Sequence, residues 1–130
     1  MKVLCPPGWP RPRGYANGIS EHGRLVVTAG IVAWDEDEKF VSNTLAGQFS
    51  QVLRNILAIL AEDGAGPQHI LRMTCYVTSI DAYLAGLDEI GEAWKAIIGK
   101  HYPAMALVEV SRLVEPEALV EIEATAVVPE

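Results

Sequence analysis

The sequence predicts an α+β fold, a single mixed β-sheet with two helices packed on one of its faces. Two stretches, 42–63 and 81–98, repeat apolar residues at helical spacing, and four others alternate or run apolar in the manner of strands. They follow one another as β-α-β-α-β-β, with no internal repeat and no linker, an order that leaves one sheet and one helical layer. At 130 residues, half of them hydrophobic and 21% charged, the chain is expected to form one domain over 1–130 with an adequate core.

A short strand near Tyr15 to Ile19 opens the series, and "EHGR" with Gly23 forms a turn. Residues 24–34, "RLVVTAGIVAW", are apolar at odd and even positions alike, as expected of a strand covered on both sides. In the first helix Leu45, Phe49, Val52, Leu53, Ile56 and Leu60 form one stripe, with Ser42, Asn43 or Thr44 as N-cap and Gly64 as the stop. Residues 69–79 alternate Leu71, Met73, Cys75 and Val77 with Arg72, Thr74 and Tyr76. Asp81 is the expected cap of the second helix, whose stripe is Tyr83, Leu87, Ile90, Trp94 and Ile97 and which ends near Gly99. Strands over 104–113 and 118–128 close the chain.

Each strand has a wholly apolar set of side chains, expected to meet the helices, and a mixed set expected on the opposite side. In "HYPAMALVEV" the apolar set is Ala104, Ala106, Val108 and Val110, and the mixed set is Met105, Leu107 and Glu109. With Arg72, Thr74, Tyr76, Glu121, Glu123 and Thr125, that second set makes a semi-polar face larger in apolar area than a lone monomer tolerates. A homo-oligomer that buries the face, with clefts between subunits, is the expected assembly.

Composition excludes several functions. No run approaches the roughly 18 apolar residues of a membrane span, and the opening "MKVLCPPGWP" resembles a lipoprotein signal only at Leu4-Cys5, so a cytoplasmic protein without membrane contact is expected. A formal net charge of −7 and the absence of a basic stripe argue against nucleic acid. Cys5, Cys75, His22, His69 and His101 lack zinc-ligand spacing, so no metal is expected, and Cys75 reads as a small buried hydrophobe. "GAGPQH" misses the third glycine of a dinucleotide loop and follows a helix rather than a strand, so no cofactor is expected there.

The segments "RGYANGI", "LVVTAGIVAW", "QFSQVLRNILAILAEDGA", "RMTCYVTSIDAY", "YPAMALVEVSRL" and "VEIEATAV" resemble, in that order, the RidA family, also called YjgF. The match runs from about Tyr15 to Val128, and its strongest signature is the closing pair "VEVSRL…ALVEIEATAV". The resemblance implies a chorismate-mutase-like fold, a homotrimer whose sheets form a central barrel, three intersubunit clefts, hydrolysis of reactive enamines and imines, and no cofactor. It implies that Tyr15 is the cleft tyrosine and Glu121 the glutamate that holds the attacking water. The family's arginine for the substrate carboxylate falls at Met105, a common cysteine at Leu107, and a common serine at Ala29. Gly30, Tyr76 and Ala106 complete the expected substrate-binding set.

A charge-assisted Arg–carboxylate bond is worth about 1.5–3 kcal/mol net, so methionine at 105 disfavours the small 2-imino acids of the family. Arg13, Arg72 and His101 are candidate replacement cations. Each has a plainer role, Arg72 in a cross-strand pair with Glu121 or Glu123, and His101 as a solvated residue after a helix end. Glu121 likewise has the alternative of a structural ion pair in an oligomer interface, and Tyr15 that of cleft packing. Two functions follow as expectations. One is a hydrolytic deaminase or tautomerising enzyme for a larger, more apolar enamine or imine; the other is a trimer that binds small molecules or protects proteins through the same cleft without turnover. The ribonuclease and translation-inhibitor names used in the family imply a third, which the acidic composition disfavours.

Overall fold

Residues 1–130 are described by a computed structural model. Its strands are β1 (Lys2–Leu4), β2 (Gly18–Ser20), β3 (Arg24–Val27), β4 (Ile70–Val77), β5 (Ala104–Glu109) and β6 (Val120–Val128). The helices are α1 (Leu45–Ala61), α2 (Ile80–Ala85) and α3 (Leu87–Ile97). β1 and β2 pair as a small antiparallel ribbon, and the main sheet has the order β3-β6-β4-β5. Only β4 and β5 run parallel, which is what a helical crossover between them requires. The sheet is therefore mixed, as the order of elements predicts.

The core lies between this sheet and the helices. Phe49, Val52, Leu53, Ile56 and Leu60 of α1 and Ile90 and Trp94 of α3 pack onto Met73, Cys75, Val77, Ile122 and Ala124. The Thr44 hydroxyl caps α1 by accepting from the Gly47 N–H at 3.1 Å. Gln48, the one buried polar residue, ties α1 to the loop before β6. Its amide donates to the carbonyls of Ser42 and Glu117 and its oxygen accepts from the Leu119 N–H. Every hydrogen-bonding atom of that side chain is used, so its burial is not penalised. Burial pushes the Cys75 thiol up to about 12, in keeping with its reading as a small hydrophobe.

Four expectations need correction. The strand over 24–34 is regular only over Arg24–Val27, where Leu25 and Val27 are 65% and 59% exposed in the single chain. Its pairing with β6 steps from Val27↔Thr125 to Ile31↔Ile122, four residues against three, so one extra residue bulges out around Ala29-Gly30. The second helix is two helices broken at Gly86, and its cap is Ser79, whose hydroxyl accepts from the Ala82 N–H at 3.0 Å; Asp81 lies inside the first turn. His101 is not solvated after a helix end, because its ring Nε2 donates to the Ile70 carbonyl at 2.6 Å.

The fourth correction inverts a strand. Met105 and Leu107 stand opposite Met73 and Cys75, which are fully buried under the helices, while Ala104, Ala106 and Val108 stand opposite Arg72, Thr74 and Tyr76. Met105 and Leu107 therefore face the helices, and the small residues face the open side. Alternation sorts side chains into two sets, but only register says which set goes inward. Glu109 follows Met105 to the helix side, where Oε1 accepts from the Ile80 N–H at 3.0 Å and satisfies a free donor at the start of α2.

Candidate functional site

β5 is an edge strand, and the chain before β2 lies along its start. The Ala16 N–H donates to the Pro103 carbonyl at 3.0 Å, and Ala16 bridges Ala104 in parallel, which sets Tyr15 beside Met105. A cavity of about 460 Å³ opens there. Tyr15, Met105 and Leu107 form one wall; Tyr83, Leu87, Ile90 and Gly91 of the helical layer form another; Trp94 and Tyr102 close an end. The two rings are stacked 6.2 Å apart at 9°, and Trp94 Nε1 is fixed by donating to the His101 carbonyl. Phe49 lies at the floor, and Arg13 and Lys95 contribute the charged atoms. Burial raises the Tyr83 hydroxyl above the ordinary tyrosine value, with the Cys75 charge adding to it.

The other expected residues lie on the opposite, open face. Tyr76 stands across from Glu121, and its hydroxyl donates to Glu123 Oε1 at 3.0 Å. That bond to Glu123 raises Tyr76 above the ordinary tyrosine value. Glu121 lies over the bulge before it. A Cβ placed on Gly30 would come within 2.6 Å of Glu121 Oε2, so only glycine leaves the carboxylate that position. Thr28 braces the bulge, its hydroxyl accepting from the Ala124 N–H and donating to the Ala29 carbonyl. No ion pair engages Glu121 or Arg72 within the chain, so the cross-strand pair considered for Arg72 does not form.

The predicted residues thus fall into two groups. Tyr15, Met105 and Leu107 come together at the cavity, with Arg13 beside them; Glu121, Gly30, Ala29, Tyr76 and Ala106 belong to the open side. Because Met105 and Glu121 project from opposite faces of one sheet, a single protomer does not bring them together. Lys95, Gly91 and Tyr102 are cavity residues that sequence reasoning missed. The only signal for them was their nearness to the Trp94 stripe. No three His, Cys, Asp or Glu side chains are grouped to hold a metal ion, and no helix is long and apolar enough to cross a membrane.

An α+β protein with an aromatic-walled cavity at a sheet edge is thereby defined. Residues 10–128 match the family described as Endoribonuclease L-PSP. The chain belongs to that family, which includes the RidA/YjgF proteins. It is 30% identical to a RutC family protein of Pyrococcus abyssi over 90% of this chain and 89% of the relative. It is 28% identical to the 2-iminobutanoate/2-iminopropanoate deaminase of Escherichia coli K12, over 87% and 86% of the two chains. The Rid-family protein YyfB of Yersinia pestis superimposes with a TM-score of 0.84 at 32% identity, covering 98% of both chains.

Proposed function

We propose that the protein is a hydrolytic deaminase of reactive enamines or imines, acting on a larger and more apolar substrate than 2-iminopropanoate. The observation that carries the reading is the cavity, where Met105 and Leu107 sit among Tyr15, Tyr83 and Trp94. The similarity to the Escherichia coli deaminase supplies the reaction class. In this reading the protein is a trimer, and a neighbouring copy brings its Glu121 and Gly30 to the mouth of the cavity.

The chemistry then balances without a cofactor. A protonated imine is attacked at carbon by water while Glu121 takes a proton from that water. The carboxyl group then protonates the carbinolamine nitrogen, and as the C–N bond breaks and ammonia leaves, the Glu121 carboxylate takes the hydroxyl proton so that the carbonyl forms. Glu121 has no cationic partner to hold its charge in the chain, which leaves it available as a base. A backbone N–H of the edge strand at Ala106 or Leu107 polarises the electrophile, and Tyr15 covers it. The family name refers to a ribonuclease activity, but a net charge of −7 and an apolar cavity suit a phosphate chain poorly.

The test is hydrolysis of imines generated in the cuvette by an amino-acid oxidase. The imine from phenylalanine is expected to decay faster with the protein present, the one from alanine much less so, and Glu121→Gln is expected to lower the rate by about 10²- to 10⁴-fold. Equal decay with wild type and Glu121→Gln would remove the catalytic role. It would leave a cleft that binds without turnover, the reading that the missing arginine favours. Light scattering of the same samples is expected to report a trimer, and a stable monomer would break the two-copy site.

A further inference from the structure

We propose that the cavity takes an aromatic carboxylate, its ring lying over Gly91 of α3 and its anionic end held at the rim by Arg13 and Lys95. This names the substrate class of the deaminase proposed above and rests on that reading for its catalytic meaning. Three observations carry it. The first is size and surface: about 460 Å³ is far more than a three- or four-carbon imino acid fills, and the stacked Trp94–Tyr102 pair offers a flat apolar end wall.

The second is Gly91. It sits in the interior of α3, where glycine is destabilising relative to alanine, yet a Cβ there would meet no heavy atom within 4 Å. Packing within the chain does not ask for glycine at this position. The space its missing side chain leaves belongs to the cavity, and that space is what a ring needs.

The third is charge. The chain carries a net charge of −7, but the only charged residues lining the cavity are the cations Arg13 and Lys95, with no carboxylate among the lining side chains. Arg13 makes no ion pair, and Lys95 has only Glu92, 3.9 Å away and as exposed as itself. One unpaired cation and one held only by a long, exposed pair, at an apolar mouth, complement a ligand with one apolar and one anionic end, and they do so at positions other than that of the absent arginine.

Calorimetric titration of the full chain with 3-phenylpropanoate, 3-phenylpropanamide and propanoate tests this. The phenylpropanoate is expected to bind about tenfold more tightly than its amide, and propanoate least. Arg13→Gln and Lys95→Gln are each expected to weaken the carboxylate about fivefold and to leave the amide unchanged. Gly91→Leu is expected to abolish binding of both ring compounds while the Tm is kept or raised, which separates an occluded cavity from a damaged fold. Equal affinity for acid and amide, binding that survives Gly91→Leu, or no binding of either ring compound would overturn the proposal. Binding as expected without hydrolysis of the phenylalanine-derived imine would sink the deaminase reading alone. Hydrolysis that ignores Arg13→Gln and Lys95→Gln would sink the ligand assignment alone.

Discussion

The two faces of the main sheet come from the same four strands and meet different surroundings. On the helix side Met73, Cys75, Val77, Ile122 and Ala126 are essentially inaccessible to solvent, and a cavity opens beside Met105. On the open side Leu25, Val27 and Val108 remain exposed in the single chain, and carboxylates, a tyrosine and an unpaired arginine lie between them. The helix face holds the fold and shapes a binding cavity, whereas the open face holds the candidate base. A sheet separates its two faces by the thickness of one backbone, and in the proposed function a second copy of the chain is what joins them.

The sharpest contrast between the faces is in stability. Met73→Ala is expected to cost about 2–5 kcal/mol in urea unfolding, because it leaves a cavity in a closed core. Thr74→Ala, one residue along and on the other face, is expected to change unfolding by no more than about 0.5 kcal/mol. Comparable losses for the two would contradict the assignment of faces.

A smaller but more local change links the open face to the chemistry. In Gly30→Ala the new methyl must push the flexible Glu121 carboxylate aside, so the fold survives and the carboxylate moves. Hydrolysis of the phenylalanine-derived imine is expected to fall about a hundredfold, the usual scale for a catalytic group displaced by about 1 Å, with an unchanged circular dichroism spectrum. Full activity in this variant would detach Glu121 from the reaction.

On the helix side Met105→Arg sharpens the comparison from the other direction. The arginine stem has the reach of methionine, and its head would offer a bidentate partner for a short substrate's carboxylate. Turnover of the alanine-derived imine is expected to rise about tenfold, equivalent to roughly 1.4 kcal/mol of transition-state stabilisation, while apolar ligands bind more weakly. A folded variant with neither effect would show that the residue does not meet the substrate.

The smallest expected effect is a titration. Tyr76 is held above the ordinary tyrosine value by its bond to Glu123, and Tyr83 chiefly by burial, so two of the four tyrosines should ionise late in an absorbance titration. Glu123→Gln should bring Tyr76 back toward the ordinary value and leave Tyr83 where it is. The folded value of Tyr76 is the higher one, so its bond supports the fold below about pH 10 and is lost as pH rises through the raised value. A Glu123→Gln titration identical to that of wild type would mean that the bond does not form in solution.

The helical stripes at Leu45–Leu60 and Tyr83–Ile97, the alternation of β4 and β6, and the order of elements were all legible in the sequence. Each is a local pattern with a single periodicity to satisfy. Tyr15, Met105 and Leu107, which line the cavity, and Glu121, which lies on the open face, sit at fixed places in short motifs. What local pattern misassigned was direction. Ala104–Glu109 offers two plausible faces, and only the parallel register against Met73 and Cys75 turned Met105 and Leu107 toward the helices. The bulge at Ala29-Gly30, the break at Gly86 and the bond from His101 to Ile70 likewise depend on partners distant in the chain. Sequence determined which side chains were available, since composition and spacing are properties of the chain alone. Tertiary structure decided which of them meet, because a one-residue shift in pairing sends every side chain of a strand to the other face.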